Sequence, residues 1–124
     1  MTPFILLIGL GTHSVFEGLA LGVTKKLDEV ILFAIAIALH KGAAGMSLGI
    51  SMAKTFPDEP RFVTSMILLF AVFTPLGISL GILLIETDSD MIELVTACLA
   101  GGSFVYIACS EVIVEEFSIS AYRF

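Results

Sequence analysis

Four long apolar runs, Thr2 to Thr24, Val30 to Ala53, Val63 to Ile85 and Met91 to Val114, limit what this chain can fold into more than any other feature. Each is close to the ~20 residues that carry a helix across the hydrocarbon of a bilayer. Only "KKLDE", "KTFPDEPRF" and "ETDSD" separate them, hydrophilic stretches too short to fold as domains. Lipid offers a backbone no hydrogen-bond partner, so a run of this length must pair its own N–H and C=O groups, and a helix does so. The pattern predicts an all-α, polytopic transmembrane bundle with four antiparallel spans in one transmembrane region over residues 1–124. A mean hydropathy of +1.04, with 57% hydrophobic and 15% charged residues, is more than a soluble domain leaves facing water.

The net charge of −6 matters less than its placement, because nearly all charges fall in the three gaps and near the C-terminal end. No basic patch speaks for nucleic acid. The first run lacks a basic segment ahead of it and holds His13 and Glu17, so it reads as a span and not as a cleaved leader. Cys98 and Cys109 share one run and would stand about 16 Å apart on a helix, too far for a disulfide between them. Lys25 and Lys26 oppose Lys54, Arg61 and Arg123, a balance that leaves orientation undecided. Gly18 with Gly22, Gly42 with Gly45 and Gly49, and Gly101 with Gly102 mark faces where helices can approach closely. Pro75, inside the third run, frees the carbonyl of Ala71 and predicts a kink.

Ionisable groups inside the first two runs are the exception to this apolar pattern. His13 and His40 each lie about 15 to 17 Å along their spans, near the bilayer midplane. Glu17 shares a helical face with His13, and Lys41 is adjacent to His40. Even lenient insertion scales charge ~2.5 to 3.5 kcal/mol for an acidic or basic residue at a helix centre, so four such groups at one depth point to function. Two imidazoles and a carboxylate suit Zn²⁺, and three protein ligands leave a fourth position open for exchange. Ser14 and Ser47 are candidate auxiliary oxygens, although membrane serines more often bond back to their own helix. With Glu17 ionised and Lys41 protonated, the layer is neutral when empty. Metal arriving beside Lys41 either strips its proton or is held less tightly, which permits release.

Other classes share parts of this pattern. A four-helix bundle with His13 and His40 as axial ligands of a b-type haem would also place two imidazoles at one depth, but it has no need of Glu17 and Lys41 beside them. A purely structural bundle would use the same groups as a polar plug. An intramembrane metalloprotease requires a second histidine four residues after the first, where this chain has Glu17. The expectation is therefore a transporter and not an enzyme, with no organic cofactor.

"HSVFEGLALG" and "ALHKGAAGMSLG" resemble the paired metal-binding helices of the ZIP (Zrt/Irt-like) zinc and iron transporters, in the form of the ZIP1, ZIP2 and ZIP3-type branch. "TPLG" at Thr74 to Gly77 and "GGSFVYIACSEVIVEEF" from Gly101 to Phe117 are similar to the two helices that follow. The resemblance implies an eight-helix fold of which these spans are the fourth to the seventh, so that the chain is a fragment. It further implies metal movement toward the cytosol by alternating access, with "KKLDE" and "ETDSD" extracytosolic and "KTFPDEPRF" cytosolic. His13, Glu17 and His40 match the family's ligand positions, and Ser14 stands where many relatives have Asn. Lys41 and Ala44 replace two acidic ligands of the two-metal members, which implies a mononuclear site. Glu111, ahead of Glu115 and Glu116, is a candidate pathway residue. Zn²⁺ is the expected cargo, with Fe²⁺, Mn²⁺ and Cd²⁺ chemically admissible. The partners implied are the metal ion, the lipid bilayer, the parent chain's remaining helices and, for a homodimer, a second copy, with the plasma membrane the expected location.

Overall fold

The computed structural model describes residues 3–87, 90–113, 117, 118, 120 and 121, with the side chains of 87, 111 and 112 outside the description. Four helices form: α1 (Pro3–Val23), α2 (Leu27–Thr55), α3 (Pro60–Leu84) and α4 (Asp90–Ile107). All four are long and apolar enough to cross a membrane. A short 3₁₀ turn, Ile85–Thr87, follows α3, and α4 continues as a wider π turn over Ala108–Ile113. The predicted end of the fourth span at Val114 lies outside the described residues.

Helix α2 begins at Leu27 and not at Val30, because Asp28 and Glu29 in its first turn suit the positive end of the helix dipole. Lys26 just ahead of them donates to Glu29 Oε1 at 3.1 Å, and this bond holds the exposed ammonium's pKa above its usual value. Pro60 opens α3, where a missing N–H leaves no bond unmade. The helix then runs on through Pro75.

Half of the apolar window of α1 is buried within the bundle, against 6% for α2, which makes α1 the helix around which the others assemble. Its tightest neighbour is α3. Gly18 and Gly22 on α1 meet Gly77 and Gly81 on α3, and a Cβ on Gly22 would lie 2.9 Å from the Gly81 Cα. Two small-xxx-small stripes thus bring two backbones into direct contact, the usual way helices associate where lipid removes the hydrophobic drive. Gly42, Gly101 and Gly102 face open space, so the close approach expected at those positions does not occur among the described residues.

Side chains from all four helices build one apolar core: Leu6, Leu7 and Leu10, with Leu48, Met52, Val63, Phe70 and Ile107. These come from the beginnings of α1 and α3 and the ends of α2 and α4, so the core lies at the end of the bundle that carries the 56–59 turn. Phe4, Phe56 and Phe62 close that end in edge-to-face pairs. The outer faces stay apolar, with Leu32, Leu39 and Met46 of α2 and Leu83 of α3 all exposed, as surfaces meant for lipid or further helices are.

Candidate metal centre

One turn of α1 separates His13 from Glu17, and both side chains are buried between α1 and its neighbours. His13 Nε2 stands 3.8 Å from Glu17 Oε1. From α2, His40 brings its Nε2 against the same Glu17 oxygen. The three ligand atoms lie within 4.8 Å of one another. Zinc bonded at 2.0 to 2.1 Å in a tetrahedron needs neighbouring ligand atoms roughly 3.3 Å apart, so His13 would have to draw in and His40 to back away from the Glu17 oxygen, both by small side-chain rotations.

Both Nε2 atoms are buried and neither makes a directed hydrogen bond. Buried polar atoms without partners are uncommon because each forfeits its hydration. A divalent cation would engage both lone pairs and the carboxylate together, which is the chemistry this donor set is suited to. The Phe104 ring of α4 packs 5.4 Å from each imidazole, and the two imidazoles are 6.0 Å apart. A cavity of about 280 Å³ opens beside the trio, bounded by Ala20, Phe33, Ile37 and Ala97. These residues lead from the trio toward the 24–26 loop, whereas the packed core lies on the opposite side.

Lys41 turns its ammonium into a cradle between α1 and α3. Its Nζ donates to Thr74 Oγ1 at 2.8 Å, Ser14 Oγ at 3.3 Å and the Phe70 carbonyl at 3.4 Å, and sits 4.0 Å over the Phe70 ring. The direct partners of Lys41 are thus neutral oxygens and an aromatic face, while Glu17 takes its contacts from the two histidines. Ser14, fully buried, serves Lys41. Ser47 is exposed two turns along α2 from His40 and stands apart from the trio. The side chain of Glu111 lies outside the described residues, as do Glu115 and Glu116.

A haem between His13 and His40 would need its iron where the Glu17 carboxylate meets both imidazoles. The cavity there, about 280 Å³, is also small for a macrocycle. Ser103 and Phe104 on α4 and Thr74 on α3 are neighbours of the ionisable layer that spacing within the first two runs does not reveal. The sequence signal they carry is only that of polar or aromatic residues inside apolar spans.

The family model described as ZIP Zinc transporter matches residues 1–123. Zinc transporter ZIP1 of Danio rerio is 37% identical over 120 residues, covering 94% of this chain and 39% of the relative. Zinc transporter ZIP1 of Homo sapiens is 34% identical over 122 residues, covering 96% of this chain and 37% of the relative. Zinc transporter ZIP2 of Mus musculus is 32% identical over 120 residues, with coverages of 94% and 38%. The chain therefore spans less than two fifths of the length of these relatives. No solved structure gives a significant match. The chain belongs to the ZIP zinc transporter family, whose members are multi-pass membrane transporters and not enzymes.

Proposed function

We propose that these four helices are the metal-binding region of a longer divalent-metal transporter, with Zn²⁺ the favoured cargo at a mononuclear site of His13, Glu17 and His40. The observation that carries this reading is the meeting of two buried imidazole nitrogens and one carboxylate oxygen inside an apolar bundle. A carrier needs ligands strong enough to replace the ion's water and few enough to let it go, and three ligands leave an open position for that exchange. A single ion suits the site, because the Lys41 ammonium, bonded to Ser14 next to His13 in the chain, would repel a second cation there. Cargo moves toward the cytosol by alternating access, and the plasma membrane is the favoured location. The names of the relatives, zinc transporters all, support zinc over iron, manganese or cadmium.

Radiozinc uptake by cells expressing the full-length chain tests this, comparing the native protein with His13→Ala at matched surface amount. Loss of saturable uptake in the variant is the expected result. Uptake equal to native would sink the assignment of His13 and with it the site.

A further inference from the structure

Ser103 of α4 is not one of the three clustered residues, yet its hydroxyl lies against the ring of one of them, His13. The Oγ lies 3.0 Å from the Ala100 carbonyl and 3.0 Å from His13 Nδ1. A serine hydroxyl has one proton and two lone pairs, and a carbonyl can only accept. The proton therefore goes to Ala100, and a lone pair faces His13. A hydrogen bond at that distance then requires the proton to be on Nδ1, and a neutral imidazole protonated there carries its lone pair on Nε2. That is the nitrogen which points at Glu17 and is buried without a hydrogen-bond partner.

We infer that Ser103 is a positioning residue that holds His13 in the Nδ1–H tautomer and so presents the Nε2 lone pair to the divalent cation. The role rests on the metal site proposed above. It brings a third helix into the site: α1 and α2 carry the ligands, and α4 sets which face of one ligand is basic. Partners of this kind fix ring orientation and raise ligand basicity, and their loss typically weakens metal affinity 10- to 100-fold. The next residue, Phe104, packs on the same imidazole, so one step of α4 fixes both the ring plane and its proton.

The test uses the full-length protein, labelled with ¹⁵N-histidine and free of metal, in lipid nanodiscs. Two-bond nitrogen–proton correlations distinguish Nδ1–H from Nε2–H, with the His13 signal identified by its loss in His13→Ala. Native protein should show Nδ1–H at His13, and Ser103→Ala should shift the population toward Nε2–H. In uptake assays Ser103→Ala should raise KM by about 10-fold or more with Vmax moved much less. Ser103→Thr, which keeps the hydroxyl, should restore both readouts. An Nε2–H tautomer in the native protein would overturn the role without any variant having to fold, as would an unchanged tautomer and KM in Ser103→Ala. Either of those results alongside lost uptake in His13→Ala removes Ser103 alone, whereas full uptake in His13→Ala removes the metal site itself.

Discussion

The Lys41 ammonium stands 2.8 Å from the Thr74 hydroxyl and ties the middle of α2 to the middle of α3. Ser14 and the Phe70 carbonyl complete the cradle, so one side chain joins three helices. Lys41→Met would leave the buried Thr74 and Ser14 hydroxyls short of a partner, at about 1 to 3 kcal/mol. The expected outcome is a lower unfolding temperature of the full chain in detergent. Removing a cation beside the metal should also tighten zinc binding and change how uptake depends on pH. Uptake and pH profile both identical to native would show that the charge has no part in release.

Glu17 meets both histidines through one carboxylate oxygen. Glu17→Gln keeps the shape and removes the charge. Zinc uptake at low external zinc should fall at least about 10-fold, since a ligand should matter no less than the groups that orient ligands. Direct titration of the purified variant with zinc checks the same point without transport.

Phe104 touches both imidazoles from α4, and such ring pairs contribute about 0.5 to 1.5 kcal/mol each. Phe104→Ala should therefore raise the KM for zinc by roughly 2- to 10-fold for each imidazole whose position the ring holds, and leave the amount of protein at the surface little altered. A KM unchanged from native would mean the rings hold their places unaided.

Two glycines of α1 should differ in their response to one added methyl. On Gly18 it would meet the backbone of α3, 2.8 Å from Ile78 N and 2.9 Å from the Gly77 Cα, where nothing can swing aside. On Gly11 it would meet the Phe73 ring at 2.7 Å, a side chain able to turn. Gly18→Ala should cost about 1 to 3 kcal/mol, the range for overpacking, and Gly11→Ala distinctly less. Thermal unfolding of the two variants side by side gives the order.

The four helices were legible because a helix in lipid needs a long apolar run, and each of α1 to α4 falls on one such run. Their ends were less so: acidic residues at the start of α2 belong to the helix for electrostatic reasons that hydropathy ignores. Depth and helical spacing were enough to group His13, Glu17 and His40. They could not say where the long Lys41 side chain would turn, since its partners on α3 are about 30 residues away in sequence. Ser14 is a candidate auxiliary oxygen by its place in the sequence, and only the packing shows that its hydroxyl accepts from the Lys41 ammonium. Ser103 depends on which face of α4 meets α1 across 90 residues, a matter of packing that no local pattern encodes. The same holds for Gly77 and Gly81, which matter only because α1 glycines lie opposite them.

Contact between bare backbones leaves no side chains to act as bearings. Helices that meet through side chains can slide by exchanging rotamers, but Gly18 and Gly22 seat directly on Gly77 and Gly81, and a shift along the axis would drive peptide groups into each other. Helices α1 and α3 are thereby held as one piece. Helices α2 and α4 reach this pair through side chains, His40 from one and Ser103 from the other. If the chain works as the carrier proposed above, His13 and Glu17 would ride on the fixed pair, and the grip on the ion would change through α2 and α4.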